Sequence, residues 1–352
     1  MKRIAGIAVL LLAVMVISTI FQPAFVNPYN IGNILRWSGL FGILSLGEAF
    51  VIMTGGIDLS VGSIVGLIGA LSAHFLKVGE MSIPLAMFIC IALSILMGWV
   101  AGLLVTKIRM APFVVTLCGL FVYRGIARFA MNDITQGYGN EFTGLKFLVK
   151  GKIPSAFWPG GNVPGIVADW SLPMPFVILV IVGIILGIFL NRSVYGRYIL
   201  ALGRNENAAR FSGIDTDRMT IIAYIISATC AGLVGILLSL DLNTVQPSTA
   251  GNMYELYAIA GCVVGGCSLR GGEGNIVGVI IGTAIVRVLY NSINILGIAT
   301  QLEFAVVGMV ILFGVGSDEM IRRYAAKRRL AEAREAAARP SGPSQHGTAI
   351  AT

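Results

Sequence analysis

The sequence predicts an all-α polytopic membrane protein of about ten transmembrane helices. Three observations carry that expectation. Only 12% of the residues are charged and 56% are hydrophobic, against about 25% charged in soluble domains. Four long runs hold no charge at all: Ile4–Val26, Met81–Thr106, Ser171–Leu190 and Met219–Leu240. Each is close to the ~20 apolar residues that cross a bilayer. The basic residues also divide unevenly between the two sides of any such bundle.

The elements follow in order. Met1-Lys2-Arg3 and the apolar Ile4–Ile20 have the start of a signal peptide, but Phe21-Gln22-Pro23 offers no small-residue cleavage site. The run is expected to be a retained first helix. Asn27–Arg36 reads as a short polar connection. Further spans are expected at Trp37–Thr54, Val61–Leu76, Ser82–Thr106, Pro112–Met131, Leu172–Leu190 and Met219–Leu240. Leu256–Leu269 is short and reads as a broken or re-entrant helix; Asn275–Ile293 and Phe304–Gly316 complete the set. A Gly/Pro-rich loop, 132–170, separates two spans. The permease domain is thus expected over 1–316, followed by a charged tail over 317–352 that is disordered from about 340.

Counting Lys and Arg gives the orientation. With the N-terminus inside, the inner segments hold seventeen basic residues and the outer ones five. Both termini are therefore expected to be cytoplasmic, with 132–170 outside and 191–218 inside. The formal charge of +8 fits this inside bias, so no nucleic-acid partner is implied.

Chemistry is mostly excluded. The five cysteines, at 90, 118, 230, 262 and 267, form no CxxC, and the histidines are His74 and His346 alone. No GxxxxGK[ST], HExxH or GxSxG occurs. The expectation is a non-catalytic chain with no metal and no cofactor, whose energy comes from another subunit or from an ion gradient.

Two segments carry the candidate function. In Thr54–Ser63, TGGIDLSVGS, Gly55 and Gly56 free the backbone at the end of one span. Asp58 and Ser60 are placed to cap the next helix. The same residues suit a transport path or gate, since irregular backbone at membrane depth must face protein or water. Gly55–Gly66 is paralleled by Gly265–Gly278, with Gly55-Gly56 set against Gly265-Gly266 and two extra residues in the second copy. Paired Gly-interrupted segments point to a transport path. Glu48, an ionisable group in mid-span, belongs to the same candidate path or to a helix–helix hydrogen bond; Arg287 and Glu303 are similar cases, each placed to pair within the bundle or to sit near an interface. In 195–218, Asn205 is placed to cap a short helix through Phe211, with Gly213 as its stop.

TGGIDLSVGS resembles the signature of the permease subunits of monosaccharide ABC importers, the ribose, xylose and arabinose group. The likeness continues through Tyr195-Gly196-Arg197, Ala201–Ile214, Gln246-Pro247, Tyr254-Glu255-Leu256 and Gly265–Gly274. It runs in order from about Asn27 to Gly316, with a gap at the loop 132–170. Tyr257 stands where that family usually carries Asp, and Cys267 where it often carries Thr. The resemblance implies the ten-helix fold of the vitamin B12 permease type. It makes Gly203, Arg204, Asn205, Glu206, Ala208, Ala209 and Gly213 the coupling segment for an ATP-binding cassette subunit. It further implies a periplasmic sugar-binding protein, a second copy of the chain and a bacterial inner membrane. Related branched-chain amino-acid permeases share the general pattern, and an ion-coupled secondary transporter is the reading from another class.

A single cysteine introduced within 132–170 should react with a membrane-impermeant thiol reagent in intact cells. Reaction only after permeabilisation would reverse the orientation.

Overall fold

The computed structural model describes residues 2–154 and 170–302, with single positions among 155–169 and 303–316. The chain divides into two units, Met1–Val307 and Gly308–Thr352, and the first holds the helix bundle. Glu303, most of the predicted span Phe304–Gly316 and the tail 317–352 lie outside the described residues.

Among the described residues, nine apolar helices occupy nine predicted span positions. They are α1 (Lys2–Phe21), α2 (Pro28–Met53), α3 (Val61–Lys77), α4 (Ile83–Thr106), α5 (Pro112–Ala130), α7 (Met174–Arg192), α10 (Thr216–Leu242), α11 (Tyr254–Val264) and α12 (Ile276–Ile295). Three shorter helices are α6 (Thr143–Lys150), α8 (Val194–Arg204) and α9 (Glu206–Phe211). Among the described residues six helices, α2, α4, α5, α7, α10 and α12, are long and apolar enough to cross a membrane. The apolar parts of α1, α3 and α11 are shorter.

One boundary differs from expectation. The polar connection Asn27–Arg36 is helical from Pro28, which adds two turns to α2. The Asn27 side chain accepts from the Tyr29 N–H, and Pro28 takes the first helical position, where its missing N–H costs nothing.

The core is built on α10, which packs against α4, α3 and α2. Most of α2 and α10 is buried, while α4, α5 and α7 turn large apolar side chains outward, among them Phe88, Phe121, Phe129 and Ile184. A chain with so few charges solves its surface by facing lipid. α11 and α12 lie close together because their small residues interlock. A Cβ on Gly282 would stand 2.3 Å from the Gly261 carbonyl oxygen, and one on Gly265 2.5 Å from that of Gly278. Lipid gives helices no hydrophobic drive to associate, so close approach of this kind supplies the contact.

The ends of the bundle opposite the glycine turns are tied by short strands. β1 (Gln136–Gly137) pairs antiparallel with β4 (Thr244–Val245), Gln136 opposite Val245. β2 (Lys152–Ile153) pairs antiparallel with β3 (Leu172–Pro173), Lys152 opposite Pro173. The predicted long loop is therefore partly ordered. Its Tyr138 is fully buried, and its hydroxyl lies 2.7 Å from Ser72 Oγ and 2.8 Å from Ser239 Oγ. This joins the loop to α3 and α10 at once.

Tyr138→Phe should lower stability by about 1 kcal/mol, since Ser72 and Ser239 can still bond each other. Thermal unfolding of the purified chain in detergent checks this, and an unchanged Tm would remove the hydroxyl from the account.

Candidate functional site

Each of the two glycine turns ends a helix in the same way. At the end of α2, Gly55 has φ +89°, its N–H reaches the Ile52 carbonyl at 2.9 Å, and the Gly56 N–H reaches the Val51 carbonyl at 3.1 Å. At the end of α11, Gly266 has φ +90°, its N–H reaches Val263 at 2.9 Å, and the Cys267 N–H reaches Cys262 at 2.9 Å. Both are the Schellman closure, which needs a left-handed residue that glycine supplies without steric strain. Gly55 thus corresponds to Gly266, one position later than the predicted pairing with Gly265. The reason is that Gly265 is the right-handed C-cap and plays the part of Thr54.

The two turns touch, and a third segment locks them. The Gly272 N–H donates to the Met53 carbonyl at 2.9 Å. Gly203, in the last turn of α8, sits against this bond. A Cβ on Gly203 would stand 1.9 Å from the Met53 oxygen and 2.3 Å from the Gly272 nitrogen. Arg204 Nε donates to the Gly272 carbonyl at 3.4 Å. The family resemblance assigns Gly203 and Arg204 to a partner-facing segment. In the structure Gly203 faces inward, and its smallness is required by the backbone approach.

The rest of the segment faces out. Asn205 caps α9 by accepting from the Ala208 N–H at 3.0 Å. Gly213, at φ +81°, closes it, with the Ile214 N–H on the Ala209 carbonyl at 3.1 Å. Ala209 is buried, while Glu206, Ala208 and Gly213 are exposed, and Phe211 is 93% exposed. The sequence gives no sign of a ring that bare on a short rigid helix, because one Phe among seventeen carries no signal. Ion pairs fix the position of α9. Arg210 reaches Glu206 at 2.9 Å and Asp217 at 3.3 Å, and Lys107 reaches Asp217 at 3.0 Å. Each exposed pair is weak alone, and the shared Asp217 makes them one network.

The acidic pair lies behind the first turn. Glu48 is fully buried, and its Oε1 accepts from the Asp58 N–H at 3.0 Å. So Glu48 bonds the turn backbone, not a neighbouring helix. Asp58 Oδ1 accepts from the Ser60 N–H at 2.9 Å and the Ser60 hydroxyl at 2.6 Å, and Oδ2 accepts from the Ser227 hydroxyl at 3.1 Å. Ser60 therefore gives its hydroxyl to Asp58 and makes no side-chain cap on α3, contrary to expectation. Among the described residues, Glu48 Oε2 and the Tyr224 hydroxyl are buried with no hydrogen-bond partner. A Cβ on Gly56 would stand 3.0 Å from that hydroxyl. Polar atoms left so gain partners only when the turn shifts or water enters. Ser227 and Tyr224 sit in the charge-free run of α10, where composition alone marks nothing.

The predicted residues thus meet at one end of the bundle: Gly55, Gly56, Asp58 and Ser60 from the first turn, Glu48 from α2 behind it, Gly265 and Gly266 from the second, and Gly203 and Arg204 between them. Asn205 to Gly213 project from it. A bundle of apolar helices with paired broken turns and a projecting capped helix has the build of a membrane permease.

The comparisons with known proteins give the family. Residues 30–315 match the family described as branched-chain amino acid transport system / permease component. The chain is 37% identical to the ribose import permease protein RbsC of Bacillus subtilis over 88% of its length and 90% of that protein's. It is 32% identical to the D-allose transport system permease protein AlsC of Escherichia coli, over 90% and 91%. It is 31% identical to the xylose transport system permease protein XylH of Haemophilus influenzae, over 88% and 95%. The chain belongs to this family of permease components, alongside permeases of monosaccharide ABC importers. No solved structure matches it.

Gly203→Val should disrupt the junction itself, lowering Tm and the yield of folded chain. Ala208→Val, on the exposed face, should leave both unchanged. Equal stability of the two variants would show that the Met53–Gly272 contact does not hold the ends together.

Proposed function

We propose that the chain is the translocation subunit of an ATP-driven, binding-protein-dependent importer for a monosaccharide or similar small polyol. The observation that carries this reading is the link between α9 and the turns. The helix is capped at both ends, shows Phe211 to its surroundings, and continues from Gly203, which is wedged on the Met53–Gly272 hydrogen bond. A push on α9 from an ATP-binding cassette subunit passes through this wedge to both turns. The turns then move the ends of α2, α3, α11 and α12, and Glu48, Asp58 and Tyr224 gain or lose their contacts with the first turn. Bulk displacement of rigid helices is the expected response, because packed cores switch and do not stretch.

The two copies expected of such a subunit would form the path between them in a bacterial inner membrane. A periplasmic binding protein would deliver the sugar at the end bearing β1–β4, and the ATPase would bind the end bearing α9, with both termini in the cytoplasm. The permease domain would extend over 1–316. The named relatives that match about nine-tenths of the chain carry sugar names, which favours a sugar over a branched-chain amino acid.

Co-reconstitution with its ATPase and binding protein should give ATP-dependent uptake of D-ribose, D-xylose or D-allose. Phe211→Glu should weaken ATPase association by about 2 kcal/mol, roughly 30-fold, as expected for a buried aromatic anchor. Gradient-driven uptake without the ATPase, or full association of the variant, would overturn the reading.

A further inference from the structure

At the end of the bundle opposite the turns lies a cavity of about 510 Å³ between α2, α11 and α12. That volume is within the roughly 300–1,000 Å³ of small-ligand sites. Its composition is unlike the rest of the interior. One wall is aromatic, with Trp37, Phe41, Tyr254, Tyr257 and Tyr290. Phe41 packs on Tyr254 at 4.7 Å and on Tyr257 at 5.7 Å between ring centroids. Arg287, almost fully buried, lies over three of these rings, with its Cζ 4.4 Å from Tyr290, 4.6 Å from Phe41 and 5.4 Å from Trp37.

The polar wall is made of amides. Asn33 Oδ1 accepts from Arg36 at 2.9 Å, which fixes the side chain and leaves its NH₂ for another acceptor. Asn294 Nδ2 donates to the Tyr290 carbonyl at 2.9 Å, which leaves its oxygen for a donor. Among the described residues the Asn252 side chain makes no hydrogen bond, so it offers both. Asn291 is held in a reciprocal pair with Asn30, at 2.7 and 3.0 Å, which stiffens the floor.

We propose that this cavity is a monosaccharide subsite on the transport path, in which a cyclic polyol lays a CH face on the aromatic wall and bonds its hydroxyls to Asn33, Asn252, Asn294 and Arg287. The inference rests on the sugar-importer reading above and deepens it. A sugar hydroxyl both donates and accepts, and this wall presents both roles. Its ring carbons need flat apolar surface, which tyrosine and tryptophan give with little loss of side-chain freedom. An amino-acid zwitterion fits poorly. Arg287 would meet its carboxylate, but among the described residues no Asp or Glu lines the cavity to meet its ammonium group, and the rings that would attract a cation already hold Arg287. The cavity is also mechanically joined to the turns. Phe41 is about 18 Å along α2 from Met53, and Arg287 about 17 Å along α12 from Ile276, at 1.5 Å per residue. Rigid helices that carry the two turns at one end thus form the walls of the subsite at the other.

The test uses the complete importer in membrane vesicles. Met253→Cys places a thiol on the cavity rim at a residue that is not among the recognition groups, in a background carrying Cys118→Ser because Cys118 is the exposed cysteine among the five. The probes are D-ribose, D-xylose and D-allose, with L-leucine as the amino-acid control. The sugar that the importer takes up should slow labelling by a methanethiosulfonate reagent about tenfold at ten times its half-saturating concentration, by mass action. Asn252→Ala and Tyr257→Ala should each abolish that protection while leaving the unprotected labelling rate unchanged. Protection that survives both substitutions, protection by L-leucine alone, or none from a transported sugar would overturn the subsite and leave the sugar importer standing. If no sugar is taken up, the functional reading fails and the subsite with it.

Discussion

The hydrogen bond from the Gly272 N–H to the Met53 carbonyl is the constraint on which the arrangement depends. It joins the end of α2 to the loop that follows the end of α11, and these two helix ends are far apart in sequence and alike in form. Each end is freed by a left-handed glycine, Gly55 or Gly266, so that the chain turns back without leaving carbonyls bare. Gly203 then fits where no larger residue does. Three backbones meet with almost no side chain between them. Such a contact transmits displacement well, because there is no soft side chain to absorb it.

From this junction the helices divide their tasks. α10 fills the centre and supplies Ser227 and Tyr224 to the first turn. α4, α5 and α7 present apolar side chains outward and insulate the core. α2, α11 and α12 run from the turns to the aromatic cavity and connect the two ends. Glu48 and Asp58 occupy the inner side of the first turn, where an ionisable group is costly in a membrane protein. Their hydrogen bonds to Asp58 N–H, Ser60 and Ser227 show that they shape the turn, and the unpartnered Glu48 Oε2 shows that they do not complete it.

Much of this is legible in local patterns. Charge-free runs place the helices, because a lipid-facing segment excludes charge whatever it packs against. Asn205, Phe211 and Gly213 mark a short capped helix, since capping is decided within a few residues. The start of α2 reads wrongly as a connection because Asn30, Asn33 and Arg36 look like a loop. In the fold Asn30 bonds Asn291 and Arg36 bonds Asp241 across helices, while Asn33 accepts from Arg36 within α2. The repeat reads one residue out of register, because a Gly-Gly pair does not say which glycine takes the positive φ.

By itself, then, the sequence determined the membrane character, the helix positions, the short capped helix and the presence of two glycine turns. All of these follow from composition or from contacts within one turn of chain. Only the tertiary structure decided that the turns touch, that Gly203 is wedged against their contact while Phe211 stands exposed, and that Asn252, Tyr257 and Arg287 share one cavity. Those facts depend on groups distant in sequence being brought within van der Waals reach, and no local propensity encodes that distance.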